Sequence, residues 1–267
     1  MSDERPIGVF DSGMGGLTVL SELKKNLPDE NFIYVGDTAR VPYGSRSEKT
    51  VQRYSLEIAE YLRKFNIKML VIACNTATAH AEELLKQTLA IPVIGVVNPG
   101  VDALISKTRN QCVGVIGTRS TIKSGVYENR IKQKNENIMV FTKSCPLFVP
   151  IVEEGWLDHE ATKIIINDYL KTMAGEGIDS LVLGCTHYPL LKNSIQKEFP
   201  FIKLIDSSIE TAIAVSKILE EKKMSRRSKK GEIKIFVTDL TDQMLGLEKL
   251  FLGFGGIQIE EVKIPEE

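Results

Sequence analysis

At about 150 residues per domain, 267 residues suit one large or two mid-sized domains, and 43% hydrophobic against 26% charged residues is the composition of a globular chain. With 34 Lys and Arg against 35 Asp and Glu the net charge is −1, so there is no global field to draw in nucleic acid or anionic lipid. The apolar runs fall far short of the ~18 residues of a membrane span, and the first residues have neither a basic n-region nor an apolar h-region, so a soluble, cytoplasmic protein is expected.

In chain order, short Val- and Ile-rich runs predict buried strands at Ile7–Asp11, Phe32–Asp37, Met69–Cys74, Val93–Val97, Cys112–Gly117, Ile138–Thr142, Leu181–Cys185, Ile202–Asp206 and Ile233–Thr238. Helical spacing fills the intervals. It is clearest in Val51, Tyr54, Ile58, Tyr61, Leu62 and Phe65, which follow a capping-box pattern in Ser45-Arg46-Ser47-Glu48. Alternating strands and helices predict an α/β fold with mostly parallel sheets, because parallel neighbours need crossover helices.

The pattern repeats. Ile7-Gly8-Val9-Phe10-Asp11-Ser12 resembles Val113-Gly114-Val115-Ile116-Gly117-Thr118, and Leu70-Val71-Ile72-Ala73-Cys74-Asn75-Thr76 resembles Leu181-Val182-Leu183-Gly184-Cys185-Thr186. Two similar domains follow, each a three-layer α/β unit. Residues 1–98 and 208–267 are read as the first and 99–207 as the second, with Asn98-Pro99-Gly100 as a turn-forming linker. The basic stretch Lys222 to Lys230 reads as a solvated loop after a helix.

Polar residues gather where strands hand over to helices, the place where open α/β sheets bind ligands. Asp11-Ser12, Cys74-Asn75-Thr76, Thr118 with Thr121, and Cys185-Thr186-His187 all stand there, and helix-start N–H groups could hold a carboxylate. The loop Asp11-Ser12-Gly13-Met14-Gly15-Gly16 lacks the Lys-Ser/Thr of a P-loop, and Thr18 breaks a GxGxxG pattern, so nucleotide binding is disfavoured.

Four cysteines without a CxxC pair suit neither a disulfide scaffold nor a zinc site. Cys112 and Cys145 read as small buried hydrophobes. Cys74 and Cys185 are different. Each ends a predicted strand ahead of a predicted helix start, where a thiolate is stabilised. Two matched thiols facing one cleft suit inversion of a carbon acid, one removing a proton from one face while the other delivers a proton to the opposite face. Asp11 and His187 are candidates for tuning or relay, and Asn75, Thr76 and Thr186 for donors to the enolate-like charge. No cofactor or metal is required. A thiol redox couple and a non-catalytic dicarboxylate-binding protein are the competing readings.

Several segments resemble the glutamate racemase family: Gly8 to Gly13, Gly36-Asp37-Thr38-Ala39-Arg40-Val41-Pro42-Tyr43-Gly44, Ala73 to Ala77, Gly114 to Thr118, Cys145 to Pro150 and Leu183 to Leu190. The resemblance implies two pseudo-twofold related α/β domains with the active site in the cleft between them, usually a homodimer. It implies a cofactor-independent interconversion of L- and D-glutamate that supplies D-glutamate for peptidoglycan, with aspartate or another acidic amino acid as the alternative substrate. By motif match, Cys74 would act on D-glutamate and Cys185 on L-glutamate, with Asp11 and His187 as auxiliary acid/base groups. Substrate contacts would fall on Asp11, Ser12, Tyr43, Gly44, Asn75, Thr76, Thr186 and His187, with Thr118 and Thr121 beside them. Glu153 matches a glutamate given a supporting role, although its residue type and neighbours alone suggest a surface group.

Overall fold

A computed structural model describes residues 2–228, 230–241, 248–253 and 257–265. Its strands are β1 (Ile7–Asp11), β2 (Phe32–Gly36), β3 (Met69–Ile72), β4 (Val93–Gly95), β5 (Cys112–Gly117), β6 (Met139–Ser144), β7 (Ser180–Gly184), β8 (Lys203–Asp206), β9 (Ile233–Val237) and β10 (Ile259–Glu261). Helices α1 (Leu17–Asn26), α2 (Glu48–Arg63), α3 (Asn75–Thr88), α4 (Val97–Lys107), α5 (Arg119–Lys123), α6 (Val126–Lys134), α7 (Phe148–Glu153), α8 (Glu160–Gly175), α9 (Lys192–Glu198) and α10 (Ser207–Glu221) lie between them. The fold is α/β, as the alternation of β-branched runs and helical spacing predicts.

The chain divides into two compact units, Met1–Val96 with Ser208–Glu267, and Val97–Ser207. The first holds a six-stranded sheet in the order β10-β9-β2-β1-β3-β4, the second a four-stranded sheet in the order β6-β5-β7-β8. Every strand pairing among the described residues is parallel. The order β2-β1-β3-β4 in one sheet matches β6-β5-β7-β8 in the other, strand for strand. The sequence repeat is therefore a repeat of topology, and β3 and β7 are equivalent strands flanking the equivalent strands β1 and β5.

Each unit has its own apolar core. Phe10, Val35, Tyr43, Ile58, Leu62, Ile72 and Cys74 belong to one; Val101, Leu104, Val113, Val115, Tyr127, Ile131 and Val182 belong to the other. Helix α2 shows how the chain builds such a layer. Val51, Ile58 and Leu62 recur on one face and are fully buried, which is the stripe a helix needs to cover a sheet. Asn66, in the left-handed region at φ 52°, turns the chain after the helix.

Four expectations change. The cap of α2 is Ser47, whose side chain accepts from Thr50 N–H, while Ser45 lies in a 3₁₀ turn at Tyr43–Ser45, so the capping box is displaced by two residues. Asn98-Pro99-Gly100 is the first turn of α4 and no linker; a first-turn proline is tolerated because its missing N–H would have had no helical partner. Strand β6 is half-exposed because it edges its sheet. Lastly, the basic stretch is partly tied down. Buried Lys68 bonds Glu30 at 2.6 Å and the Met224 carbonyl at 2.8 Å, and Arg226 N–H donates to the other Glu30 oxygen at 2.8 Å.

Candidate active site

In the first unit the C-terminal ends of the adjacent strands β1 and β3 carry Asp11 and Cys74. Asp11 is buried, and its Oδ2 accepts from Gly13 N–H at 3.0 Å, which curls the following loop back over the strand end. Gly16 closes that loop. A Cβ there would stand 2.4 Å from Asp11 Cβ and 2.9 Å from the Tyr34 hydroxyl, so only glycine lets α1 start so close. Tyr34, fully buried on β2, donates to the Gly13 carbonyl at 2.7 Å. Burial and the nearby Asp11 and Cys74 charges push its phenol well above the ordinary range. The glycine loop is thus built around Asp11, as a structural turn would be.

Cys74 is the N-cap of α3. Its Sγ accepts from Ala77 N–H at 3.4 Å and lies 3.6 Å from Ser12 Oγ. A sulfur in that place meets the positive end of a helix of 14 residues, which favours the thiolate. Asn75 and Thr76 occupy the first turn, both buried.

Tyr43 and Gly44 reach the same neighbourhood from another direction. Tyr43 is buried in one apolar cluster with Cys74 and donates its hydroxyl to Asp37 Oδ2. Arg40 Nε bonds both Asp37 oxygens at 3.0 and 2.8 Å, and its Nη1 bonds Glu57 of α2. Thr238, just past β9, donates to Asp37 Oδ1 at 3.0 Å. The guanidinium also lies 4.0 Å from the Tyr54 ring centre. Burial works against the Arg40 charge, but the two carboxylates outweigh it and hold the guanidinium above its usual range.

In the second unit Thr118 and Cys185 follow directly on β5 and β7. Thr118 caps α5, its Oγ1 accepting from Thr121 N–H at 3.3 Å and lying 3.0 Å from Thr121 Oγ1. Cys185 has different company. His187 Nδ1 is 3.9 Å from Cys185 Sγ and 3.4 Å from Thr186 Oγ1, while His187 Nε2 is 3.0 Å from Glu153 Oε1. Burial alone would lower this imidazole, but Cys185 and the Glu153 carboxylate outweigh it and raise His187 to about 10. Glu153, which ends α7, is therefore not a bystander on the surface, as its residue type suggested.

The two thiols are consequently not equivalent in detail. After Cys185 the chain forms a 3₁₀ turn at Tyr188–Leu191 before α9, so the helix-start argument holds for Cys74 and fails for Cys185. There a carboxylate-imidazole pair, Glu153 with His187, stands beside the sulfur where Cys74 has a helix start. Cys112 and Cys145 fit the expectation of inert thiols: both are buried, and burial pushes both upward. Tyr127 escaped the sequence reading. It is buried against Gly184, near enough to Cys185 for a thiolate charge to raise its phenol further. Among the described residues no group of three or more His, Cys, Asp or Glu could hold a metal ion.

A family model for Asp/Glu/Hydantoin racemase matches residues 7–215. The chain belongs to this family. It is 47% identical over 260 residues to the glutamate racemase of Persephonella marina, spanning 97% of this chain and 98% of that one. Among solved structures, a glutamate racemase isoform of Bacillus anthracis superposes with a TM-score of 0.95 at 39% identity, covering 99% of this chain and all of that one. The glutamate racemase of Francisella tularensis, solved with D-glutamate, gives 0.92 at 39% identity over 98% of each chain. As a racemase, the protein must move a proton on and off a stereocentre. Each unit carries one thiol just past the end of the equivalent strand, Cys74 after β3 and Cys185 after β7.

Proposed function

We propose that this racemase interconverts L- and D-glutamate without a cofactor, Cys74 and Cys185 exchanging protons with opposite faces of one Cα. The carrying observation is that the topological repeat sets a cysteine just past the C-terminal end of both β3 and β7. The near full-length likeness to glutamate racemases supports glutamate over aspartate. In this reading the two domains, 1–98 with 208–267 and 99–207, correspond to the two compact units with their boundary displaced by two residues.

Cys185 removes the proton from L-glutamate as a thiolate, stabilised by the His187 imidazolium that Glu153 holds in place. Cys74, as a thiol, returns a proton to the other face; the roles exchange in reverse. Asp11 and Ser12 line the Cys74 side, and Ser12, Tyr43, Gly44, Asn75, Thr76, Thr118, Thr121 and Thr186 bind the substrate. Helix-start amides stabilise the enolate-like charge, each donor contributing about 3–4 kcal/mol in a dry site. The product serves peptidoglycan synthesis in the cytoplasm, and the active form is a homodimer.

The test is incubation with L-glutamate in heavy water, following optical rotation together with deuterium at Cα. Loss of rotation with deuterium incorporation is expected; binding without exchange sinks the proposal, and faster turnover of aspartate overturns the substrate. Cys74→Ser and Cys185→Ser should each slow racemisation about 10²- to 10⁴-fold, the usual worth of a positioned acid or base. Each should still eliminate a β-leaving group from one enantiomer of an analogue.

A further inference from the structure

Glu57 stands on α2 four residues after Arg53 and is buried: its side chain is 3% exposed and Asp37 is wholly enclosed, with Arg40 between them at 14%. Two buried carboxylates around one guanidinium are costly to desolvate, so such a cluster is weak evidence of a device for stability. Its geometry points elsewhere. Arg40 grips both oxygens of Asp37 through Nε and reaches Glu57 through Nη1. Asp37 accepts the Tyr43 hydroxyl on Oδ2, the same oxygen that takes the shorter Arg40 bond. Tyr43 packs in one cluster with Cys74, and its ring lies 5.6 Å from that of Tyr54, the ring under the guanidinium. A continuous chain of directional contacts thus runs from α2 through Arg40 and Asp37 to the Tyr43–Gly44 turn, whose tyrosine shares the apolar cluster of Cys74 and is near enough for a thiolate charge there to raise its phenol.

We infer that Glu57 and Arg40 are positioning residues for this racemase: they fix the Tyr43–Gly44 turn against Cys74 and so act on the proton transfer at that face alone. The inference rests on the two-thiol reading above for its kinetic consequence, though not for its structural one. Glu57 sets the direction of the Arg40 fork, the fork sets Asp37, and Asp37 sets Tyr43. A turn displaced by about 1 Å can cost on the order of 100-fold in rate, so a partial loosening is felt in turnover before it is felt in folding.

Glu57→Gln in the full-length protein tests this, since the amide keeps the shape and removes the charge. Its kcat/KM should fall about tenfold, equally in both directions, because a racemase has mirror-image substrates of equal energy. The discriminating readout is the Cα-deuterium isotope effect. Slowing only the Cys74 step makes that step more limiting, so the effect should rise with D-glutamate and fall with L-glutamate; a general structural loss shifts neither. Unchanged isotope effects with lowered activity, or unchanged activity, overturn the inference. A second readout is independent of turnover. Alkylation by iodoacetamide, followed for each cysteine peptide by mass spectrometry, should quicken at Cys74 by about threefold or more and stay the same at Cys185, the scale of a modest opening of a closed site. Equal change at both thiols, or none, overturns the positioning role whether or not the wild type racemises glutamate, whereas a wild type that exchanges no Cα hydrogen defeats only the glutamate reading. Tyr43→Phe, which removes one hydroxyl at the far end of the chain, should reproduce the Cys74-specific quickening if Glu57→Gln does not fold; its failure to do so counts against the inference equally.

Discussion

His187 keeps a proton that its burial alone would remove. Because its folded value of about 10 lies above the ordinary 6.5, its charge contributes to stability fully below about pH 6.5, and that contribution is lost as pH rises through about 10. In the mechanism proposed above the same loss should set the alkaline limb of racemisation, because His187 then has no proton left to give as the auxiliary acid. Glu153→Gln removes the carboxylate 3.0 Å from Nε2 and should move that limb down by about one pH unit. A pH-rate profile of the variant checks it; a limb that stays in place means Glu153 has no hold on the histidine. The pairing could not be read from the sequence. Glu153 and His187 are brought together by the ends of α7 and β7, and no local spacing encodes that contact, whereas Cys185 and His187 are two residues apart and were legible as neighbours.

Among the elements, the strands were legible because β-branched runs bounded by polar turns are a local property. Where tertiary context decides, the sequence says less. Strand β10 is short and exposed, with β9 its one neighbour among the described residues, so Ile259–Glu261 shows none of the apolar density that marked the others. The α2 cap lay at Ser47 and not Ser45, because the chain first spends Tyr43–Ser45 on the turn that the buried Asp37 anchors through Tyr43. A helix-start glycine gives a sharper case. Gly16 has ordinary helical angles, φ −63° and ψ −11°, so Gly16→Ala costs no backbone strain. Its cost is contact: the new methyl meets Asp11 and the Tyr34 hydroxyl. The α1 start should shift and take Asp11 with it, lowering turnover about 100-fold, as misplacement near 1 Å does, while helix propensity softens the loss of stability. Kinetics beside thermal unfolding tests this; a variant that stays fully active shows that the loop yields without moving Asp11.

For the molecule as a whole, the repeat makes the two units unequal partners in folding. Residues 97–207 contain their entire four-stranded sheet and a core of their own, with a continuous chain. Residues 1–96 do not. Strand β2 has β9 as its outer neighbour, Phe236 belongs to the first core, Val262 and Ile264 pack on it, and the Glu30–Lys68 pair is completed by Met224 and Arg226. Without residues 208–267, β2 becomes an unpaired edge and Lys68 loses a carbonyl partner inside the protein, where a buried charge with missing partners is expensive. The expected outcome is that residues 97–207 made alone unfold cooperatively in urea, with a slope of roughly 1–3 kcal/mol/M, whereas residues 1–96 made alone show no cooperative transition. The sole tryptophan, Trp156, lies in the second unit, stacked on His159 with ring centres 4.6 Å apart, so its emission reports that unit by itself. In the full-length protein, destabilising the first unit through Lys68→Met should shift the far-ultraviolet circular dichroism transition to lower urea ahead of the tryptophan transition. Coincident shifts in both signals would mean that the units unfold as one body and that the repeat is a record of ancestry without energetic independence.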